Sequence, residues 1–287
     1  MAHYYQSPEI QDLADFIGDS LELSRKAAQT DADTIVFCGV HFMAETAKIL
    51  SPEKTVLIPD IDAGCSLSDD CPEKDFVKFK EANPNHYIIS YINCSAAVKS
   101  HSDLICTSSN AVDLVNKLPK EQKIIFAPDQ NLGRWVESQS GRKLKLWPGS
   151  CQVHETFSEE AVFKLKYKYK NAEVIAHPEC IPALLNNANF IGSTSKLLKY
   201  INKHDCNEFI VLTEPGIIHQ MKKIQPNKLF LEVPDIFGCS CNECPYMRLN
   251  TIEKIRDCLK AKSPSIEIKE EIRQRAFYPI QKMLEMS

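Results

Sequence analysis

Val56-Leu-Ile-Pro-Asp-Ile-Asp-Ala-Gly-Cys65-Ser66 is a short apolar run that stops at Pro-Asp and turns through a glycine onto a cysteine. The pattern returns as Leu231-Glu-Val-Pro-Asp-Ile-Phe-Gly-Cys239-Ser-Cys241-Asn-Glu-Cys244, and a looser version, Leu144-Lys-Leu-Trp-Pro-Gly-Ser-Cys151, stands between them. Cys151 follows Cys65 by 86 residues and precedes Cys239 by 88, or Cys244 by 93. A near-even period of this length predicts one supersecondary unit used three times. Three equivalent strand ends, each offering one thiolate, would converge on a central metal.

Around these anchors the composition is that of an enzyme without a polyanionic partner. The chain has 287 residues, 44% of them hydrophobic and 25% charged, with a net charge of −4. That balance implies neither nucleic acid nor an acidic membrane, so an anionic substrate must be met by local donors. No apolar run approaches the ~20 residues that span a bilayer. The start, Met-Ala-His-Tyr-Tyr-Gln, has no basic or apolar leader region, so no signal peptide and a cytoplasmic location are expected. Twelve cysteines in such a chain read as reduced thiols or metal ligands rather than a disulfide framework.

Short apolar runs alternate with helical periodicity, which reads as parallel α/β layers. Strands are expected at 34–38, 55–58, 87–92, 103–107, 123–127, 173–176, 208–212 and 228–233. Helices are expected after Pro8, where Ile10, Leu13, Ala14 and Ile17 recur, after Gly39, and over 110–118, 194–202, 216–223 and 251–261. A unit of this kind opens with a strand, yet the first helix follows Met1 almost directly, so a missing first strand and a shortened N-terminus are expected. Three strand ends enter helices through small polar residues: Gly18-Asp-Ser20, Thr107-Ser-Ser109 and Gly192-Ser-Thr194. Helix starts of that type bind carboxylate or phosphate through free N–H groups, although any one alone is more often a plain cap.

Further stretches resemble one family across the whole chain, in order. They are Ala2-His-Tyr-Tyr-Gln-Ser-Pro-Glu-Ile through Ser20, Ala63-Gly-Cys65-Ser, Tyr91-Ile-Asn-Cys, Cys106-Thr-Ser-Ser-Asn, Phe126-Ala-Pro-Asp-Gln-Asn, Cys151-Gln-Val-His154, Ala176-His-Pro-Glu-Cys180, Thr213-Glu-Pro-Gly216 and Cys241-Asn-Glu-Cys244-Pro-Tyr-Met. The chain is thereby similar to quinolinate synthases, enzymes of NAD biosynthesis. The resemblance implies three pseudo-symmetric, three-layer α/β/α domains with parallel sheets around a central cluster. These would be 1–68, with a C-terminal helix 265–287 packing back on it, 69–151 and 152–264. It implies a [4Fe–4S] cluster with three cysteine ligands, Cys65, Cys151 and Cys244, and one open iron acting as a Lewis acid.

The activity so implied is a transferase-type condensation of iminoaspartate with dihydroxyacetone phosphate to quinolinate, releasing phosphate and water, with possible functional coupling to an iminoaspartate-producing enzyme. The implied catalytic residues are Tyr5, His154 and Glu179. Those implied to bind substrate are His3, Ser20, Tyr91, Asn93, Ser108, His177, Ser193 and Thr194. The repeat and the resemblance differ at the third ligand: aligning the Pro-Asp-Ile segments selects Cys239, whereas the family motif selects Cys244. Cys241 and Cys244 are also close enough in sequence for a disulfide on oxidation.

Plainer readings stand beside these. His41, His86, His101, His204 and His219 read as structural, and Cys38, Cys94, Cys106, Cys180, Cys206 and Cys258 as small buried hydrophobes. A zinc module built on Cys239, Cys241 and Cys244, or on Cys65 and Cys71, would explain the cysteines without catalysis. An iron–sulfur hydro-lyase acting on a small hydroxy acid would share the open iron but need no phosphate site.

Overall fold

Twelve short strands among the described residues fall into three groups of four. The computed structural model describes residues 1–238 and 242–287. Cys239 and Cys241, and with them the rival third ligand and the proposed disulfide, lie outside the described residues.

The first group is β1 (Ala2–His3), β2 (Ile17–Gly18), β3 (Thr34–Val36) and β4 (Thr55–Leu57). The second is β5 (Tyr87–Tyr91), β6 (Leu104–Cys106), β7 (Ile124–Ala127) and β8 (Lys145–Leu146), and the third is β9 (Glu173–Ala176), β10 (Phe190–Ile191), β11 (Glu208–Leu212) and β12 (Leu229–Glu232). The two later sheets are ordered β6-β5-β7-β8 and β10-β9-β11-β12. In the first group β1 pairs with β2 and β3 with β4, and a parallel bridge from Ala2 to Cys38 joins the halves. The order second-first-third-fourth therefore holds three times, every ladder pairing is parallel, and helices flank the sheets. The cysteine period is thus the period of a triplicated α/β unit.

The strand interiors are apolar because parallel sheets are covered on both faces. Ile124–Ala127 is buried throughout, as are Val174, Ile175, Ile210, Val211 and Leu212. Each such aliphatic side chain contributes about 1.5–3 kcal/mol by leaving water. The helix Glu270–Met286 lies against both β6 and the helix Ala96–Lys99 of the second unit, and against the helix His41–Leu50 of the first.

All eight expected strands are present, six of them with trimmed ends, and two expectations need correction. The first strand is not missing: Ala2–His3 is that strand, and the Met1 amino group donates to Val36 O at 2.9 Å. Ile17 is not helical, because the helix Pro8–Leu13 ends where Ala14 turns extended, and Ile17 then pairs with Ala2. Among the described residues no helix is long and apolar enough to cross a membrane.

Candidate active site and metal centre

The C-terminal ends of strands from all three units wall one cavity, about 720 Å³ including its space open to solvent, the place where ligands collect in parallel α/β sheets. The register makes the contributions equivalent. His3 pairs with Gly18, Tyr91 with Cys106, and His177 follows Ala176, which pairs with Ile191. His3 and Tyr91 thus end the first strand of their units and His177 directly follows that of the third, and Tyr5, Asn93 and Glu179 stand two residues on. The second strands lead to Ser20, Ser108 and Thr194, and the fourth strands to Cys65, Cys151 and Cys244. All of these line the cavity, as does His154.

Ser193 is the exception among the expected site residues. It is fully buried and caps the helix Thr194–Lys203, its Oγ accepting from Lys196 N at 3.4 Å. Ser20 likewise opens its helix without capping it, for Asp19 Oδ1 accepts from Leu21 N and Glu22 N, both at 3.0 Å. The other Asp19 oxygen accepts from Ser109 Oγ at 2.9 Å and Ser195 Oγ at 2.7 Å, and Ser109 also bonds Ser193 at 2.8 Å. A carboxylate of the first unit thus gathers hydroxyls from the other two beneath the cavity.

A continuous hydrogen-bond path crosses the site. Tyr5 OH lies 2.6 Å from Thr213 Oγ1, which lies 3.0 Å from His154 Nε2. On its other side His154 Nδ1 is 2.8 Å from Glu179 Oε2, and Tyr91 OH donates a short bond to Glu179 Oε1. An ionised carboxylate only accepts, so Nδ1 carries the His154 proton, Nε2 accepts from Thr213, and Thr213 accepts from Tyr5. Burial opposes ionisation of Glu179, but the facing His177 and His154 and the hydrogen bonds from His154 and Tyr91 outweigh it and hold its pKa below the usual carboxylate range. Desolvation pushes the Tyr5 and Tyr91 phenols well up.

The other two histidines are neutral donors. Burial lowers His3 to about 4 and His177 to about 3. His3 Nδ1 accepts from Tyr5 N at 3.2 Å, leaving its Nε2–H for the cavity. His177 Nδ1 accepts from Glu179 N at 3.4 Å, so its Nε2–H donates to Ser108 Oγ at 3.1 Å and leaves the serine hydrogen free to turn outward. Asn93, which lines the same cavity, has its Oδ1 buried without a hydrogen-bond partner.

Metal-binding chemistry is present at one wall. Donor atoms of Cys151, His154 and Glu179 lie within 4.8 Å of one another, and Cys151 Sγ is 3.2 Å from His154 Nδ1. The three cavity thiols also sense one another. Burial raises Cys65, Cys151 and Cys244, the last to about 11, and the charges of Cys65 and Cys244 add to the rise at Cys151. Thiols so placed become thiolates only with a cation among them.

The structural readings of the remaining residues fit their surroundings. His101 pairs with Glu73 at 2.8 Å, His219 with Asp12 at 2.7 Å, and His204 with Glu173 at 3.5 Å, all away from the cavity. Cys38, Cys94, Cys106, Cys180 and Cys258 are buried, whereas Cys206 is only half-buried, with its thiol donating to Asn171 O and Glu208 O. Cys71 packs with Phe76 and Trp147 in a satellite core, not beside Cys65 in the cavity.

Thr213 was the main omission from the expected site. It sits inside the Thr-Glu-Pro-Gly stretch, but a lone threonine after a strand carries no chemical signal of its own. Its neighbour Glu214 was also missed. Glu214 is fully buried and pushed up to about 8 by desolvation, which Arg248 at 2.6 Å opposes.

Comparison with known proteins bears on all of this. A family model described as quinolinate synthetase A protein matches residues 1–285. A quinolinate synthase of Prochlorococcus marinus strain MIT 9313 is 69% identical over 286 residues, covering 100% of this chain and 86% of the relative. Those of Cyanophora paradoxa and Microcystis aeruginosa strain NIES-843 are 63% and 61% identical, covering all of this chain and 87% and 90% of theirs.

Proposed function

The chain belongs to the quinolinate synthetase A family, and we propose that its cavity is where iminoaspartate and dihydroxyacetone phosphate condense to quinolinate, releasing phosphate and water. The residues fit the cofactor this chemistry suggests. Three half-buried thiols on one cavity are soft donors suited to an iron–sulfur cluster. Cys65, Cys151 and Cys244 would hold a [4Fe–4S] cluster, one from each of the units 1–68 (with the terminal helix 265–287), 69–151 and 152–264. Held by only three thiolates, such a cluster would offer Lewis-acid chemistry toward a substrate oxygen.

The chain's own residues handle the anions and the protons. His3, through Nε2–H, and Ser108, through the hydroxyl hydrogen that His177 frees, donate to carboxylate or phosphate. Ser20 and Thr194 do so from helix starts, with Ser193 holding the second of these helices in place. Asn93 Oδ1 accepts from a substrate hydroxyl or N–H. Tyr5 is the cavity end of the proton path. As it takes a substrate proton, its own passes to Thr213, and the threonine proton passes to His154 Nε2. The resulting imidazolium lies against the Glu179 carboxylate, which Tyr91 holds from the other side. Run in reverse, the same path returns a proton to a departing hydroxyl.

The observation that carries this reading is the unbroken path Tyr5–Thr213–His154–Glu179 beside Cys151. Its test is turnover under anaerobic conditions, measured as quinolinate formed and as phosphate released only when dihydroxyacetone phosphate is present. Glu179→Gln keeps the volume but not the charge that stabilises the imidazolium, so turnover falls by ~100-fold or more with metal content intact. Tyr5→Phe acts likewise and lets an intermediate accumulate. A wild-type rate in Glu179→Gln removes the path from the mechanism.

A second reading rests on the Cys151, His154 and Glu179 cluster, whose mixed sulfur, nitrogen and oxygen donors suit zinc. About four irons and four sulfides per chain support the cluster, and stoichiometric zinc without sulfide supports the rival. A cytoplasmic setting suits the many free thiols. Iminoaspartate is an imine that hydrolyses in water, so an enzyme that makes it would work close by.

A further inference from the structure

Arg248 joins three segments that the proton path and the thiol site need. Its Nη1 donates to the Tyr5 carbonyl at 2.8 Å and its Nη2 to Glu214 Oε1 at 2.6 Å. The same Glu214 oxygen accepts from Cys244 N at 3.4 Å, while Oε2 accepts from Gly216 N at 2.7 Å. Contact between these segments is close: a Cβ at Gly216 would meet the Tyr5 Cα and carbonyl carbon at 2.9 Å. Gln11 adds a second tie, its Nε2 donating to Gly216 O at 2.8 Å and Gln6 O at 2.7 Å. The backbone that carries Tyr5, the residue following Thr213 and the loop that carries Cys244 thus meet on one planar guanidinium. A guanidinium fork fixes direction as well as distance, which a lysine does not.

We propose that Arg248 and Glu214 form a clamp through which the seating of the Cys244 loop sets the position of Tyr5. This rests on the reading that Cys244 binds metal and Tyr5 moves a proton. Arg248 is then a positioning residue that acts through both neighbours. An ion pair with a merely stabilising role would lower the melting temperature when removed, yet would leave the N-terminal segment indifferent to the metal.

Hydrogen exchange separates the two roles. The amides of Tyr4, Tyr5 and Gln6 donate to Gly18 O, His3 Nδ1 and His3 O, so their exchange reports whether this segment is held. Anaerobically purified wild type, Arg248→Met, Arg248→Lys and Glu214→Gln are compared before and after a chelator strips the metal. In the wild type, stripping should speed exchange over residues 3–7 by about tenfold or more. In Arg248→Met, exchange should already be fast with metal bound. Its kcat should fall by about 100-fold with KM nearly unchanged, as misplacement of a reacting group by about an ångström does. Arg248→Lys should recover only part of either effect.

If Arg248→Met fails to retain metal, Glu214→Gln carries the test. Fast exchange in that variant with metal bound supports the clamp, and wild-type exchange overturns it. Wild-type protein whose segment 3–7 ignores stripping, or Arg248→Met with full iron and full kcat, also overturns it. Wild-type protein that never contains iron and sulfide overturns the cluster reading instead, so the two failures are distinct.

Discussion

The two Pro-Asp-Ile segments begin as the same structure and end as different ones. In both, the aspartate makes the same local turn: Asp60 Oδ1 accepts from Asp62 N at 2.8 Å, and Asp235 Oδ1 from Phe237 N at 2.9 Å. Beyond that they diverge. The first segment is pinned by a short ion pair from Asp60 to Lys254 and turns inward, so that Gly64 and Cys65 line the cavity. The third turns outward: Phe237 is 81% exposed, Gly238 takes a left-handed φ of +84°, and among the described residues that follow, Cys244 is the first to line the cavity. A repeated motif therefore marks an equivalent strand end, after which the described residues take different courses. Side chains from elsewhere in the fold decide where the chain goes next.

The strongest way to break this comparison is to remove thiols at the two ends. Cys65→Ser and Cys244→Ser should each lose iron and sulfide, and activity should fall by more than the ~100-fold expected for losing an outer partner of a metal ligand. Cys239→Ser should keep both. Iron lost from Cys239→Ser and retained in Cys244→Ser would make the motif the better guide to the ligand.

A smaller effect sharpens the first segment. Lys254→Met removes the pin on Asp60 and should cost about 1 kcal/mol, a modest figure because the lysine is partly exposed. Burial opposes ionisation of Asp60, but the Lys254 bond wins and holds its pKa below the usual value. A carboxylate depressed in the folded state stabilises above its unfolded pKa of about 3.9 and loses that contribution as acid protonates it. The stability difference between wild type and Lys254→Met, measured by chemical denaturation, should therefore close as pH falls through this range. A difference that persists in acid would assign the effect to the lysine's packing.

The smallest effect belongs to the third segment. Phe237→Ser, at an exposed tip, should change stability by no more than about 0.5 kcal/mol and leave turnover unaltered. A loss of turnover would show that the outward turn folds over the cavity in the working enzyme.

What could be read in advance followed hydrophobic pattern and motif. Runs such as 173–176 and 208–212 matched β9 and β11 residue for residue, because buried parallel strands are uninterrupted apolar stretches. The strands β1, β2, β8 and β10 were not seen, since two residues cannot display a period. The helices Glu73–Glu81, Gln130–Ser140 and Glu159–Lys168 also escaped, their charged faces diluting the apolar signal. Within the site, residues with distinctive chemistry were legible from motifs. Thr213, Asp19 and Arg248 were not, because their importance lies in partners tens to hundreds of residues away.

The strand order also bears on how the molecule is made. Each unit places cavity residues at the ends of its first, second and fourth strands, so the cavity draws on the chain from His3 to Met247. As the chain leaves the ribosome, the first sheet can form early, but the third wall of the cavity is the last to emerge. The Tyr5 carbonyl waits for Arg248 until 243 further residues have been made. A product ended prematurely in the third unit has the histidine and tyrosine of the first without the groups that orient them. A chain that ends within the third unit is therefore expected to show no turnover, which an assay of such truncations would check.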